Sequence, residues 1–489
     1  MESHPYTKPR GVGPVTTQLT PGAEPASRKS AGAPGPWSCS HTCRAWSPFA
    51  GLQIQCYNSP QMKKPTTKLM RKLLLVSAFL LTALPVASAA GTITGRWDAV
   101  VVANKVEVPF RFEIAQNGAQ VQGFFFEGDR KIGSTSGTFA NGILQLDYDF
   151  LNTTLQATRD GDKLQGTYRD RGPKAVPMEF RAQRSAATAA SSLAAKASAP
   201  KVDGDWQMHR TAQDNSKLDV SWRLYLRQSG SDVSGAILKT SGDSGTLTGQ
   251  WKDGKLVMSH FAGERPLLFE AHLNPDGTLG ITLDRQFTYR AARSTEARAV
   301  GIAEPPDPTL FTSVKDPSQP FHFSGPDLDG KMVSDSDPLF QGKVVVLTIG
   351  GSWCPNCHDE APFLEALFKE FHARGLEVVG LNFEMDSDLV QARPRVNSFI
   401  KRYGIQFLML VPGTPEEVPA KLPQLVNFGV YPTTIFVGRD GRVRRVHAGF
   451  ASTATGAEHT RLLRDERALV EQLLAEKPQK KSEKAPAGL

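Results

Sequence analysis

Apolar and polar residues alternate along much of the region from residue 91 to residue 295. In one stretch the apolar residues occupy every second position, as Val106, Val108, Phe110, Phe112 and Ile114. A period of two is typical of a strand with one buried face. Dipeptides that favour tight hairpin turns separate such runs, namely Asn141-Gly142, Asp160-Gly161, Asp253-Gly254 and Asp276-Gly277. The pattern therefore predicts antiparallel β-structure for this region.

The β-rich region contains two similar copies of one unit, over residues 91–184 and 202–295. Gly95-Arg96-Trp97 near the start of the first copy matches Gly204-Asp205-Trp206 near the start of the second. Further matches follow at nearly constant spacing, which indicates an internal repeat. We expect each copy to form a small antiparallel barrel or sandwich. Trp97 and Trp206 are expected to pack in its core, and a ligand pocket at these side chains is the alternative.

Residues 319–476 show a different pattern, in which strands and helices alternate. The run 344–349 is continuous, apolar and β-branched, which is typical of a buried central strand. Apolar residues at helical spacing follow this run. Further strands are predicted at 376–381, 433–437 and 443–446, before a closing helix at 462–474. The pattern predicts an α/β domain.

The segments between and after these units differ from them in composition. Residues 185–201 are rich in Ala and Ser and residues 296–318 are rich in Pro, so both are predicted to be linkers. Residues 477–489 are rich in Lys and Pro and are predicted to form a disordered tail. The linkers lead us to expect that the β units fold independently of the last domain.

The motif Trp353-Cys354-Pro355-Asn356-Cys357 lies where the first buried strand of the α/β domain passes into a helix. The free N–H groups and the dipole of a helix N-terminus stabilise a thiolate at Cys354. A thiolate is the nucleophile in disulfide exchange, and Cys357 is close enough to resolve a mixed disulfide formed at Cys354. Inert buried thiols are one alternative. A zinc site is another, but it needs a second ligand pair, and no paired spacing is found among His358, His372, His447 and His459.

Three motifs together resemble the TlpA/ResA-like branch of exported thioredoxin-fold proteins. They are Gly351 to Cys357, Glu360-Ala361-Pro362 and Val430 to Thr434, and the resemblance covers about residues 320–475. The resemblance implies a thioredoxin-like domain in which Cys354 and Cys357 form the redox-active disulfide. The chain is thus predicted to be multidomain, with two antiparallel all-β repeat units followed by an α/β thioredoxin-like domain.

The resemblance also implies roles for residues outside the cysteine pair. Glu360 matches the family's active-site acid, which shuttles protons between the thiols, and a solvated first-turn carboxylate is the alternative. Pro432 matches the cis-proline that binds the partner's backbone, and an ordinary turn proline is the alternative. Trp353 and Tyr431 complete the predicted substrate-binding set. The family often has Leu before this proline, so Tyr431 is a departure that narrows the set of partners.

The excess of basic over acidic residues is confined to the first 89 residues of the chain. Residues 1–89 hold 10 of the 57 Lys and Arg but only 2 of the 49 Asp and Glu, so the remainder is neutral. The pI therefore gives no support for nucleic-acid binding. Cys39, Cys43 and Cys56 lie in this region without the spacing of a structural zinc site.

Residues 70–89 have the features of a secretory signal peptide. Met70-Arg71-Lys72 precedes an apolar run at 73–86, and Ala87-Ser88-Ala89 follows as a cleavage site. The apolar run is too short for a spanning helix. We therefore expect residues 1–69 to be a non-native or disordered leader and the protein to be periplasmic or secreted, without a membrane span after cleavage. The exported chain then keeps only Cys354 and Cys357. Two cysteines in a single C-x-x-C motif indicate a reactive pair rather than a set of structural disulfides.

These observations predict an exported thiol–disulfide oxidoreductase, with no cofactor and no metal. The resemblance favours a reductase of protein disulfides in the cell envelope, kept reduced by a membrane electron donor. A peroxiredoxin-like peroxidase is one alternative, but its P-x-x-x-T-x-x-C pattern would need Pro and Thr where Leu347 and Gly351 stand. An envelope ligand-binding protein whose β repeats carry the function is the other.

Cleavage after Ala89 should leave Ala90 as the first residue of the exported protein. N-terminal sequencing of protein recovered from the cell envelope measures this directly. Recovery of a chain that keeps residues 1–69 would contradict both the signal peptide and the assignment to the envelope.

Overall fold

A computed structural model describes residues 92–171, 175–185, 199–211, 221–386 and 388–477. The leader at 1–69, the signal peptide at 70–89, most of the linker at 185–201 and nearly all of the tail at 477–489 lie outside the described residues.

The first β-rich region forms a nine-stranded antiparallel sheet. Its order is β2-β1-β9-β8-β7-β6-β5-β3-β4, and a further pairing of β2 with β3 makes the sheet barrel-like. The strands are β1 Gly95–Ala103, β2 Val106–Asn117, β3 Gln120–Glu127, β4 Arg130–Gly133, β5 Ser136–Ala140, β6 Ile143–Tyr148, β7 Thr153–Asp160, β8 Lys163–Asp170 and β9 Met178–Arg184.

The second β-rich region repeats this strand order. Its sheet runs β11-β10-β18-β17-β16-β15-β14-β12-β13, with a further pairing of β11 and β12. The strands are β10 Gly204–Arg210, β11 Ser221–Ser229, β12 Asp232–Lys239, β13 Gly242–Asp243, β14 Leu247–Lys252, β15 Lys255–His260, β16 Leu267–Leu273, β17 Leu279–Leu283 and β18 Phe287–Arg293.

The two tryptophans that open these sheets occupy matching core positions, as expected. Trp97 and Trp206 are both fully buried, and the indole of each donates a hydrogen bond to the carbonyl four residues earlier. An arginine of the last strand lies over each ring, Arg184 over Trp97 and Arg293 over Trp206. The hairpin turns were also predicted correctly, since Asn141-Gly142 and Asp253-Gly254 join adjacent strands with positive φ at both residues.

The C-terminal region contains a five-stranded mixed sheet in the order β24-β23-β22-β26-β27. The strands of this region are β19 Ser313–Val314, β20 Ser324–Pro326, β21 Met332–Ser334, β22 Val344–Gly350, β23 Leu376–Phe383, β24 Leu408–Gly413, β25 Leu425–Val426, β26 Thr433–Val437 and β27 Val443–Ala448. The helices are α1 Pro308–Phe311, α2 Pro355–Phe371, α3 Leu389–Tyr403, α4 Val418–Lys421 and α5 Ala457–Ala475.

This sheet has an apolar core on each face. Helices α2, α3 and α5 cover one face, where Val346, Leu364 and Val470 belong to one buried cluster. The opposite face packs against residues before β22 and near α4, including Phe340 and Leu422. The thioredoxin-like domain expected from the sequence is confirmed. Within the described ranges, no helix combines the length and the apolar run that crossing a bilayer requires.

The three regions contact one another closely from Thr92 onwards, where the residues form one compact unit. Phe261, which follows the second sheet's strand β15, lies in the core of the first sheet. The segment at 296–318, expected to be a linker, contains helix α1 and strand β19. Strand β19 pairs with β25, so pairing within the C-terminal region begins before residue 319.

Candidate active site at the start of helix α2

Cys354 caps the N-terminus of α2. Its backbone is extended, and its Sγ accepts a hydrogen bond from the backbone N–H of Cys357 at 3.3 Å. Both cysteines are free thiols, and they are 3% and 6% exposed. Pro355 fits the first helical position because its missing N–H would have no partner there. The placement is the one that the motif predicts, at the end of β22 and the beginning of a helix.

Glu360 lies one helical turn beyond Cys357 and is 2% exposed, so the alternative of a solvated carboxylate is wrong. Its carboxyl group accepts hydrogen bonds from the hydroxyls of Thr348, at 2.7 Å, and Thr434. Burial raises the pKa of Glu360 to about 7, although both hydrogen bonds oppose the shift. Burial also raises the pKa of Cys357, and Cys354 and Glu360 raise it further.

Pro432 follows a cis peptide bond and is buried, so the cis bond implied by the resemblance is present. Its carbonyl accepts a hydrogen bond from the N–H of Gly449 at 2.7 Å. Tyr431, just before it, packs edge-to-face against Trp353, with ring centroids 5.1 Å apart, and against Phe428. The three rings are half-buried, so the predicted substrate-binding residues form one partly exposed aromatic surface beside the cysteines.

Two buried groups hold the turn before Cys354, namely Glu384, which the sequence did not single out, and His358, which the sequence raised only as a candidate zinc ligand. The N–H and the hydroxyl of Ser352 donate to the two oxygens of Glu384, at 2.8 and 2.7 Å. Glu384 directly follows β23, the parallel neighbour of β22, and this position at the same sheet edge is a signal that could have identified it. His358 donates from Nε2 to the carbonyl of Ser352 at 2.9 Å. Burial lowers the pKa of His358 to about 4, so the ring is neutral at pH 7.

The second β-sheet region reaches the active-site motif itself. The side-chain amide of Asn356 donates to the carbonyl of Ser241 at 2.6 Å, and its oxygen accepts from the guanidinium of Arg265 at 2.6 Å. Arg265 also donates to the carboxylate of Asp359 at 3.0 Å and to the carbonyl of Asp243 at 3.1 Å. One guanidinium therefore connects the second sheet to the first turn of α2.

Carboxyl groups surround this guanidinium in a region of low exposure. Burial raises the pKa of Asp359 to about 6, with Arg265 acting against the shift. Burial likewise raises the pKa of Glu264 to about 8. At pH 7 Asp359, whose pKa lies below that value, is mostly ionised opposite Arg265, whereas Glu264, whose pKa lies above it, is mostly neutral.

A hairpin of the second sheet covers the other side of the motif. The loop between β12 and β13 lies so close to Gly449 that a Cβ there would be 2.1 Å from the carbonyl oxygen of Thr240. A Cβ on Gly242 would be 2.5 Å from the amide nitrogen of Asn356. Gly449 also has a φ of +76°, which side chains rarely adopt. This hairpin leaves the aromatic side of the site as the more open one.

Replacing Arg265 by Met should destabilise the protein and expose the cysteines. The change removes a largely buried cation and leaves Asp359 without its hydrogen-bonded partner, a loss that typically lowers the free energy of unfolding by about 3–5 kcal/mol. Denaturant unfolding and the rate of Cys354 alkylation measure the two effects.

Arg130→Met is the matched control, because Arg130 lies 3.9 Å from the same carboxylate but is 53% exposed, against 20% for Arg265. The control should lose about 1 kcal/mol or less. Equal effects of the two substitutions would show that the buried contact has no special role.

Known proteins match the C-terminal region that contains this site. Residues 317–446 match the AhpC/TSA family. The thiol-disulfide oxidoreductase ResA of Halalkalibacterium halodurans is 28% identical over 150 residues, which are 30% of this chain and 77% of that protein. ResA of Bacillus subtilis is 27% identical over 137 residues, 28% of this chain and 69% of that protein.

Among solved structures, a thiol:disulfide interchange protein of the thioredoxin family from Chlorobium tepidum aligns with 25% identity. The alignment covers 33% of this chain and all of that one, with a TM-score of 0.26. The sequence matches confirm the resemblance read from the motifs. The C-terminal domain of this chain is a thioredoxin-like domain that matches the AhpC/TSA family and is similar to the ResA thiol–disulfide oxidoreductases.

Proposed function

We propose that this protein is a thiol–disulfide oxidoreductase that exchanges disulfides through Cys354 and Cys357. The observation that carries the proposal is the arrangement at the start of α2. The sulfur of Cys354 lies at the helix N-terminus and accepts an N–H hydrogen bond, and a buried acid follows Cys357 by one turn. This arrangement supports a nucleophile, a resolving thiol and a proton acceptor within about two helical turns.

The proposed reduction proceeds in two exchanges. The thiolate of Cys354 attacks one sulfur of the partner's disulfide, and the other sulfur leaves as a thiolate that takes up a proton. Cys357 then loses its proton to Glu360 and attacks the sulfur of Cys354. The bond between Cys354 and the partner breaks, the partner's second sulfur leaves as a thiolate, and Cys354 and Cys357 remain as a disulfide.

Glu360 is suited to this role because its pKa is close to neutral pH. A carboxyl group with a pKa of about 7 accepts and returns a proton at similar free-energy cost near pH 7. The raised pKa of Cys357 means that its thiol does not ionise unaided at that pH. A nearby base is therefore needed for the second exchange.

The exposed aromatic side of the site is the proposed docking surface for protein disulfides. Trp353, Tyr431 and Phe428 offer half-buried rings next to Cys354, and the backbone at Pro432 lies beside them. The hairpin around Gly242 closes the opposite side, so a partner approaches over the rings. Amphipathic rings of this kind are favoured at protein interfaces.

The remaining parts of the proposal come from the sequence. The signal peptide supports export to the periplasm or beyond, and the resemblance to ResA-like proteins supports a reductase that a membrane electron donor keeps reduced. The matching strand orders of the two sheets and their matching tryptophans support a repeated β unit. We propose that these units bind partners and limit access to the cysteines rather than perform chemistry.

Replacing Cys357 by Ser should trap a mixed disulfide between Cys354 and a protein substrate, because the resolving thiol is absent. Non-reducing electrophoresis and peptide mass analysis of cell-envelope extracts detect the adduct. Cys354→Ser is the matched control and should trap nothing. The reverse result, with adducts only in the control, would exchange the roles of the two cysteines.

Replacing Glu360 by Gln should slow exchange with a small model disulfide about 100-fold at pH 7. In the wild type the rate should rise through pH 7 as Glu360 ionises and becomes a base. In the variant this rise should disappear, leaving only the rise at higher pH where Cys357 itself ionises. The pH–rate profile is the measurement.

Stability provides an internal check on this variant. Because folding raises the pKa of Glu360, its ionisation costs folding free energy, and this cost grows as pH rises from the unfolded pKa through about 7. Glu360→Gln should therefore be no less stable than the wild type at pH 8. Glu370→Gln, an exposed change on the same helix, should alter neither the rate nor its pH dependence. An unchanged profile in Glu360→Gln would exclude Glu360 as the base.

A further inference from the structure

Three polar residues lie directly opposite one another across three strands of the C-terminal sheet. Thr348 of β22 is paired with Thr434 of β26, and Thr434 is paired with His447 of β27. Cross-strand partners present their side chains to the same face of a sheet. Val346 and Phe436, two residues away on this face, belong to the buried apolar cluster under α2 and α5. The three residues therefore form a polar row through the core, which we call the threonine–histidine row.

Two buried carboxyl groups lie on the threonine–histidine row, one from each helix above it. Glu360 of α2 accepts hydrogen bonds from both threonines. Glu466 of α5 is also 2% exposed, and its Oε1 lies 3.6 Å from Nδ1 of His447, which donates a hydrogen bond to the carbonyl of Gly449 at 3.1 Å. Its Oε2 has no hydrogen-bond partner among the described residues. A buried carboxyl oxygen without a partner is unfavourable, and the described thiol chemistry does not use it.

The far end of the row opens into a cavity. A space of about 490 Å³ lies between the second β-sheet region, the segment before α1 and the C-terminal domain. His447 and Glu466 are part of its wall, together with Lys239, Pro306 and Phe450. The row therefore has the redox thiols at one end, through Glu360, and the cavity at the other.

Burial favours the uncharged forms of both Glu466 and His447. Burial raises the pKa of Glu466, and Glu360 raises it further. Burial lowers the pKa of His447 to about 4. The charged groups that face the pair from the surrounding elements are Glu360 on α2, Asp307 before α1, Arg445 on β27, and Arg461 and Asp465 on α5.

We propose that Glu466 is a proton-relay residue, which passes protons between Glu360 and the cavity along the threonine–histidine row. This inference rests on the proposed function and deepens it, because it supplies the route by which Glu360 is reset. Glu466 touches neither thiol, so it acts through Glu360. The covered position of the cysteines makes such an internal route useful, since Glu360 is itself closed off from solvent by the two threonines and the apolar core.

With this relay, every proton released in the second exchange has a defined acceptor. The S–H bond of Cys357 breaks and its proton goes to Glu360, while the new bond between Cys357 and Cys354 releases the partner's sulfur. Glu360 returns to the carboxylate by giving this proton up along the row. Glu466 takes it up as it releases its own proton to water in the cavity. No electrons move in this transfer, and the disulfide of the partner is the only oxidant.

Glu466→Gln should lower the rate of exchange with a small model disulfide about tenfold between pH 6 and 8. The amide keeps the shape but cannot relay a proton. Unfolding by denaturant should show no loss of stability, because a neutral amide replaces a buried carboxyl group. Glu471→Gln, an exposed change on the same helix, is the matched control and should leave the rate unchanged.

Chemical rescue separates a relay from a structural role. Glu466→Ala should be slow in chloride buffer and should recover in proportion to added acetate at the same ionic strength, whereas Glu466→Gln should not recover. A normal rate in Glu466→Gln overturns the inference, and so does a slow Glu466→Ala that acetate does not restore. Failure of the wild type to exchange disulfides at all would instead contradict the proposed function.

Discussion

The guanidinium of Arg265 joins two parts of the chain that are far apart in sequence. It donates to Asn356 and Asp359 near the N-terminus of α2 and to the backbone of Asp243 in its own sheet region. A buried cation is stable only where its partners are held in place. This contact therefore holds α2 against the second sheet region together with the hydrogen bond from Asn356 to Ser241, and the active site is built by both regions rather than by the thioredoxin-like domain alone.

Burial also determines the chemistry available at the site. Glu360 lies between α2 and the sheet in a low-dielectric environment, and this is the main reason that its pKa approaches neutrality. A covered site also limits the direction from which a partner's disulfide can approach. The open side presents Trp353 and Tyr431, and the closed side presents the hairpin at Gly242. Under the proposed function, access to the cysteines depends on the second sheet region, and proton transfer depends on the packing of α2 against its own sheet.

Much of this arrangement could be predicted from local sequence signals. Alternating residues gave the strands, Asn-Gly and Asp-Gly pairs gave the turns, and the Cys354 motif placed the site at a strand-to-helix junction. The burial of Glu360 could not be decided from sequence, because a carboxyl group near the start of a helix is also stable when it is exposed to solvent. Arg265 and Glu466 were missed because their roles depend on contacts between distant segments, for which a single sequence has no periodic or motif signal.

The most direct test of the account is a redox titration of the full chain in buffers of defined potential. Thiols at Cys354 and Cys357 would be quantified separately, by alkylation and peptide mass analysis. The account predicts that both thiols disappear together and reversibly, as a two-electron couple with about 30 mV per tenfold change in the dithiol-to-disulfide ratio. Thiols that stay reduced in every buffer, or a Cys354 that is oxidised while Cys357 is not, would contradict it.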